Sequence, residues 1–380
     1  MAEPDFPEAE FAARTERAQR AMRAAGLDAL FFTTEAEVRY FSGFRTPFWQ
    51  SPTRPWFLVV PAGGKPVAVI PQIGAHLMAT TWLDDIRTFS APHPVDDGIG
   101  ALADALKEYS RIGMPMGRES SLRMPLADFM TLQVRLTGAE FVNATDLVQA
   151  LRMVKSEAEI GRLRDICRIG SAAFANAPSL FHEGQPLSGV FRAFRIELLN
   201  QGADDVPYLV GGAGQGGYGD VISPPNEREL KAGDVLMLDT GATRTGYFCD
   251  FDRNFAIGTA SEAVRRAHET LVAAVKAAAA IARPGQTCAD LYRAMADTIG
   301  QGEGDVGRFG HGLGMQLTEA PSLTGFDETV LRERMVLTLE PGIDLGAGKM
   351  MVHEENIVIR DGDPDFLSVP AGPDIPVIGG

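Results

Sequence analysis

Residues 8–25, EAEFAARTERAQRAMRAA, space their apolar side chains at a helical period, which predicts an amphipathic helix closed by Gly26. The period then shortens. LDALFFTT reads as a strand and VRYFSGF follows; RPWFLVVPAGG and KPVAVIPQ read as two strands divided by a Gly-Gly turn. GAHLMATTWL, GIGALADALKEY and PLADFMTLQVRL return to helical spacing. Strands alternating with helices predict a mixed sheet covered by helices. This first block ends near Leu151.

A new start follows. Ser156 and Glu159 have the spacing of a capping box at the head of a long helix through GRLRDICRIGSAAFANA. VFRAFRIELLNQG predicts a second helix. VGGAGQGGYGD is dense in glycine and is expected to be loop. SEAVRRAHETLVAAVKAAAAIA predicts a long helix stopped at Arg283-Pro284-Gly285, and TCADLYRAMADTIG another. Between and after these helices lie β-like runs that carry acidic residues. No internal repeat stands out.

Length changes the picture first. A chain of 380 residues is long for one core, so two domains are expected, 1–151 and 152–380. The net charge of −15 argues against nucleic acid or an anionic membrane as partner and leaves a small molecule or short peptide. No apolar run approaches the ~20 residues of a membrane span. The stretch MAEPDFPEAEF is acidic, with no apolar leader segment. Cys167, Cys249 and Cys288 lie far apart in no metal-ligand spacing, and this odd count suits a reducing cytoplasm.

The chemistry sits in the last third. Asp239 lies in VLMLDTGA, Asp250 in GYFCDFDRNF, His311 in FGHGLGMQLTEAP, Glu340 in LTLEPGI and Glu354 in MVHEENIVI. Each is in or beside an apolar run, where a carboxylate needs a partner. Four carboxylates and one imidazole are a hard, oxygen-rich set that suits two divalent cations of the manganese, cobalt, iron or zinc kind. Asp239 and Asp250 are eleven residues apart in a strand–turn–strand pattern. A hairpin centred between Arg244 and Thr245 would place them directly opposite, where two unpaired carboxylates repel and a cation between them relieves the repulsion. Asp252 shares the strand parity of Asp250 and is expected behind the site or paired with a base such as Arg253. Glycines flanking His311 allow close backbone approach. Glu340 precedes Pro341-Gly342 and should end a strand; Glu354 is expected mid-strand, with Glu355 on the other face.

Together these segments resemble the pita-bread metallohydrolases: aminopeptidase P, prolidase, methionine aminopeptidase and creatinase. The resemblance rests on Asp239-Thr240-Gly241, Asp250 ahead of Asp252-Arg253, Gly310-His311-Gly312-Leu313-Gly314, Glu340-Pro341-Gly342 and Glu354, in that order. It extends to Tyr40-Phe41-Ser42-Gly43-Phe44 in the first domain and to Lys155-Ser156 with Glu159 at the domain junction. It implies an α/β (α+β) chain: a creatinase-like N-terminal domain, then a pita-bread domain with an antiparallel sheet and covering helices. It implies two metal ions, commonly manganese or cobalt. Asp239, Asp250 and Glu354 would be shared between both ions, with His311 and Glu340 serving one. A bridging hydroxide would attack the scissile carbonyl, with Glu340 as the residue that takes its proton. The resemblance further implies an Xaa-Pro aminopeptidase or dipeptidase and a homodimer in which first-domain loops reach toward the partner's site. Trp49 and Trp56 are candidates for that reach or for core packing.

The chain departs from the family pattern around the substrate. The peptidases carry a second histidine seven residues after the loop histidine; Thr318 stands there. Thr318 can donate one neutral hydrogen bond but supplies neither proton nor charge. Ile222 fills the place of a further histidine upstream of Asp239, and Val352, beside His353, replaces a last-strand arginine. One lost oxyanion donor typically involves ~2.7–4 kcal/mol. The ligand set is complete while the residues that handle substrate have changed. A hydrolase of short Xaa-Pro peptides therefore leads. A hydrolase or lyase acting on a non-peptide small molecule is second, and a non-catalytic binding protein on the same core is third. LMLDTGA also fits an aspartic-protease loop, but such enzymes need two and this chain has one.

Overall fold

Helix α1 (Glu8–Ala25) ends where Gly26 turns left-handed at φ +64, as its apolar period requires. The computed structural model describes residues 5–300 and 307–379, so the first four residues of the acidic N-terminal stretch lie outside the described part. The chain divides into two compact units between Arg152 and Met153. In the first unit, β1 (Ala29–Phe32), β2 (Phe57–Pro61) and β3 (Val67–Pro71) follow the predicted apolar runs, with α2 (Glu35–Ser42) after β1. Then come α3 (Ala75–Met78), β4 (Asp85–Phe89), α4 (Ile99–Leu106), β5 (Arg111–Met114), α5 (Leu126–Arg135), β6 (Glu140–Asn143) and α6 (Thr145–Met153). The six strands form one mixed sheet in the order β4-β3-β2-β1-β5-β6. Strands β4, β5 and β6 escape the sequence pattern because they are short and partly charged (DIRTF, RIGM, EFVN). Trp56 is buried against Phe44 and Trp49, with ring centroids 5.1 and 6.1 Å away. These tryptophans are core packing in this unit.

In the second unit, α7 (Glu157–Leu180) starts at the Ser156–Glu159 capping box, with both reciprocal bonds formed. Next come α8 (Leu187–Asn200), β7 (Asp205–Gln215), β8 (Asp234–Arg244), β9 (Tyr247–Phe248) and β10 (Phe251–Ile257). Helices α9 (Glu262–Ile281) and α10 (Cys288–Ile299) follow, then β11 (His311–Gly312), β12 (Glu319–Ser322), β13 (Val336–Leu339), β14 (Gly342–Gly346) and β15 (Lys349–Val352). Strands β16 (Glu355–Val358), β17 (Asp365–Phe366) and β18 (Val377–Ile378) complete the unit. One sheet runs β18-β10-β8-β7 with β9 beside β8, and the second runs β12-β11-β13-β16-β17. Among the described residues of this unit, only the β10–β18 strand pairing is parallel. Phe174 of α7 packs on Phe251 and Phe255 of β10, while α9 and α10 bury Leu291 and Met295 with Leu337, Leu339 and Ile357 of the second sheet. Each fully buried Leu or Ile contributes ~1.5–3 kcal/mol, so both sheets are held rigid from their helical sides.

Three local expectations are corrected. The glycine-dense run is not all loop, since Val210–Gln215 belong to β7. These glycines serve close strand approach: a Cβ on Gly211 would lie 2.2 Å from the Met237 carbonyl oxygen of β8. The β8–β9 hairpin turns at Thr245-Gly246, where both residues take positive φ (49 and 72), the geometry of a type I′ turn. Asp239 therefore pairs with Asp252, and Asp250 is diagonal to it. Finally, KMMVHEENIVI is two strands in two sheets. His353 and Glu354 occupy the break between β15 and β16.

Candidate metal centre

Strand β8 is buried along nearly its whole length, so Asp239 reaches the interior as a charge among apolar neighbours. Asp250 lies where the ladder is interrupted between β9 and β10. Asn356 of β16 takes the role of strand partner there: its Oδ1 accepts the Asp250 N–H at 3.1 Å and its Nδ2 donates to the Asp250 carbonyl. His311 follows from β11. Gly310 and Gly312 beside it leave no room for a Cβ, which would lie 2.2 Å from the carbonyl oxygens of Thr338 and Ala320 respectively. Glu340 sits one residue past β13, as expected of a strand terminus, and its N–H donates to the Phe309 carbonyl at 3.0 Å. Glu354 lies in the break before β16, where its carbonyl accepts from Arg253 at 3.0 Å.

The side chains converge. One ligand atom each from Asp250, His311 and Glu354 lies within 4.8 Å of the others. The His311 Nδ1 is 2.9 Å from the Gly312 carbonyl, which can only accept, so Nδ1 carries the proton. Nε2 then turns a lone pair toward Asp250 Oδ2 at 3.3 Å. A neutral imidazole would face the carboxylate there as a second acceptor, an arrangement a cation resolves, whereas a protonated one pairs with it directly. Asp239 Oδ1 and Glu354 Oε1 are buried without any hydrogen-bond partner. Such atoms are costly unless something positive fills the space between them.

The electrostatics agree. Burial, then the charges of Asp250 and Glu340, pushes Asp239 well above the carboxylate range. Burial and the same two neighbours do so for Glu354. Asp250 is raised by burial, against an opposing pull from His311. Glu340 is pushed up to about 7 by burial and Asp250, and it is the least buried of the five. A set of oxygen ligands that resists ionisation together fits a divalent ion, which removes the desolvation and repulsion at once.

Behind these residues runs a second polar layer. Asp252 is buried and sits 3.6 Å from His353 Nδ1, while His353 Nε2 is 3.3 Å from Glu355. Burial alone would lower His353, but Asp252 and Glu355 outweigh it and raise it. Glu355 is opposed by burial yet falls to about 2 through Arg253, whose guanidinium lies 2.9 Å away, and His353. Asp252 thus stands behind the cluster, opposite Asp239, and its charge partner is His353 as well as the neighbouring Arg253.

The remaining sequence candidates fall differently. Thr318 lies one residue before β12 and accepts a hydrogen bond from Arg308 Nη2 at 3.2 Å. Ile222 is 74% exposed, and its N–H donates to Asp220 rather than to anything in the cluster. Two neighbours were missed. Tyr208 of β7 sits two residues from the position paired with Asp239, and its phenol favours the charged form of Asp239. The alternation of VPYLV, with Tyr208 and Val210 on one face, was the available signal. Arg308, three residues before His311, favours the charged forms of Asp250 and Glu340.

Residues 161–361 match the model of Metallopeptidase family M24, and residues 14–154 match the Creatinase/Prolidase N-terminal domain. A sequence described as probable dipeptidase PepE of Mycobacterium tuberculosis is 29% identical over 364 residues, covering 92% of this chain and 92% of the relative. An Xaa-Pro dipeptidase of Pyrococcus furiosus is 24% identical over 343 residues, covering 87% of this chain and 90% of the relative. The crystal structure of dipeptidase PepE from Mycobacterium ulcerans superposes with a TM-score of 0.84 at 27% identity, over 98% of this chain and 99% of that one. Among the described residues no helix is long and apolar enough to cross a membrane. The chain therefore belongs to metallopeptidase family M24, a metallohydrolase with a creatinase-type N-terminal domain ahead of the pita-bread domain that holds the acid and histidine cluster.

Proposed function

We propose that this protein is a dipeptidase that hydrolyses Xaa-Pro substrates at a pair of divalent metal ions. The observation that carries the reading is the buried convergence of Asp250, His311 and Glu354, with Asp239 and the half-buried Glu340 coupled to them electrostatically and orphaned oxygens on Asp239 and Glu354. Asp239, Asp250 and Glu354 would be shared between two ions, with His311 and Glu340 serving one. Bound divalent ions supply a nucleophilic hydroxide near neutral pH and polarise the substrate carbonyl. Glu340, the least buried member, accepts the proton of the attacking water and returns it to the departing amine nitrogen. Water is thus added across the amide bond, the hydroxyl to carbon and the proton to nitrogen. Thr318 keeps its own proton after accepting from Arg308 and can donate one hydrogen bond to substrate. Asn356 fixes Asp250, and the Nδ1 bond fixes the His311 tautomer, so the donor atoms are positioned before any ligand arrives.

Manganese is the first ion to test on this reading, with cobalt, iron and zinc next. Cys167, Cys249 and Cys288 are free and buried, which supports placement in the reducing cytoplasm. A homodimer is part of the same reading, carried by the family resemblance. The exposed Ile222 and the hydroxyl of Thr318, in place of two imidazoles, favour a second reading, a hydrolase or lyase acting on a non-peptide small molecule. The deciding assay follows proline release from Ala-Pro and Leu-Pro with and without manganese. Metal-dependent release supports the dipeptidase. Bound metal without release from any Xaa-Pro substrate moves the protein to the second reading.

A further inference from the structure

Two polar side chains of the β13–β16 sheet bond outside their own ladder. Thr338 of β13 and Asn356 of β16 are cross-strand partners, and both are fully buried. Their neighbours Leu337, Leu339 and Ile357 face the α9 and α10 core, so strand alternation turns Thr338 and Asn356 to the opposite face. Thr338 Oγ1 accepts the His311 N–H at 3.1 Å. Asn356 brackets Asp250, accepting its N–H at 3.1 Å and donating to its carbonyl. One cross-strand pair thus grips the backbone of two candidate ligands, whose side chains meet at 3.3 Å.

Those two ligands belong to different sheets. His311 opens β11, beside β13, whereas Asp250 lies between β9 and β10 of the other sheet. Asn356 is therefore a side-chain tie from sheet to sheet, and its hold depends on which way its amide points. Oδ1 has two lone pairs. One takes the Asp250 N–H, and the other takes the Cys167 thiol of α7, with sulfur 3.2 Å away. A flipped amide would set its NH2 against both donors. Burial pushes the Cys167 thiol well above its ordinary range, so it keeps the proton it donates. The Asn356 backbone is held separately: its N–H donates to Ser368 Oγ at 3.0 Å, and its carbonyl accepts from Leu367 at 2.8 Å. The other buried cysteines are placed differently. Cys249 Sγ bonds to the backbone carbonyls of Thr240 and Ala242, and Cys288 packs in the α9–α10 core.

We propose that Cys167 is a positioning residue of the metal centre: its thiol sets the Asn356 amide, and Asn356 with Thr338 fixes the spacing of Asp250 and His311 across the two sheets. The inference rests on the metal-centre reading and extends it to a helix residue that touches no ligand side chain. Partners that orient metal ligands typically carry about 10- to 100-fold in metal affinity. Cys167 acts through one intermediary, which places it at the lower end of that range.

The test uses cobalt alone as the probe, so that it does not depend on turnover. Affinity is read by calorimetric titration, and ligand geometry by the visible absorption of the bound ion. Cys167→Ala should weaken cobalt binding about 10-fold and shift the absorption. Cys288→Ala makes an equal cavity away from the site and should change neither. Cys167→Ser restores a donor and should return both readouts toward wild type. Thr338→Val keeps the shape without the acceptor for His311; it should also weaken binding about 10-fold, and it carries the test if Cys167→Ala fails to fold. A Cys167→Ala protein with wild-type affinity and absorption overturns the proposal. So does a serine variant that falls as far as alanine, which would make the residue packing alone, and so does an unchanged Thr338→Val. Wild type that binds no cobalt removes the metal centre and the proposal with it, whereas unchanged variants of a wild type that binds leave the metal centre standing.

Discussion

Metal removal should make the stability of this protein fall as pH rises, the reverse of ordinary acid denaturation. Glu340 has its carboxyl raised from 4.5 to about 7, first by burial and then by Asp250. A carboxyl with a raised folded pKa contributes stability that is fully present below its unfolded value and lost as pH climbs through the folded one. The window therefore runs from about pH 4.5 to about 7. One pKa unit corresponds to ~1.36 kcal/mol, so Glu340 alone accounts for about 3 kcal/mol. Asp239, Asp250 and Glu354 shift in the same direction and add to the loss. His353, also raised, has the same sign. Glu355, lowered to about 2, has the opposite sign, but its loss runs from about pH 4.5 down to about 2, below this window. His268, lowered by burial to about 4, also has the opposite sign and opposes the fall up to about pH 6.5; it is no candidate ligand, so the comparison of metal-stripped with manganese-loaded protein isolates the share of the acid cluster. For a unit of this size 1 kcal/mol moves the melting temperature by roughly 2–4 °C, which predicts a fall of roughly 6–12 °C from Glu340. The assay is scanning calorimetry of metal-stripped protein from pH 5 to 8, repeated with excess manganese and with Glu340→Gln. Manganese should abolish or reverse the Glu340 share of the slope, because a bound cation holds the carboxylates ionised in the folded form as well as stabilising that form by mass action. The amide variant should remove the Glu340 share of the slope. A metal-stripped protein whose melting temperature does not fall relative to the manganese-loaded protein across this range would refute the reasoning.

Three further outcomes follow from specific contacts. Lys155 and Glu319 form a buried ion pair at 2.9 Å, so Lys155→Met should destabilise by about 3–5 kcal/mol in urea titrations, with partial recovery in the Lys155→Met/Glu319→Gln double variant. Gly312→Ala drives a Cβ to 2.2 Å from the Ala320 carbonyl oxygen; calorimetry should show a loss of about 1–3 kcal/mol, with weaker manganese binding as His311 is displaced. Asp252→Asn keeps the fold but weakens the support from His353 behind the cluster, and manganese affinity should fall by about 10- to 100-fold in a calorimetric titration.

The convergence of Asp250, His311 and Glu354 was legible because each is an acid or imidazole in an apolar setting, and burial makes such a residue conspicuous. The relations between them were less so. A hairpin register depends on which two residues tolerate positive φ, and Thr245-Gly246 is a less obvious choice than an Asn-Gly pair. That choice places Asp252 opposite Asp239 and moves Asp250 to the diagonal. The glycine run of β7 reads as loop by composition, yet its glycines permit a close strand pairing that only the partner strand reveals. Glu354 looked mid-strand because the apolar pattern continues across a change of sheet. Arg308 left no trace of its place beside Thr318, since nothing in its local pattern separates an arginine bound to a hydroxyl from an ordinary surface arginine. Helix boundaries fared better where capping chemistry was local, as at Ser156 and Gly26.

The most direct test of the central claim is the metal content of the purified protein by mass spectrometry after manganese loading and desalting, beside Glu354→Gln prepared identically. About two ions per wild-type chain, with fewer retained by the variant, is the result predicted by a centre built from Asp239, Asp250, His311, Glu340 and Glu354. Wild-type protein that retains no ion after loading, or a variant that holds the same number, would contradict it.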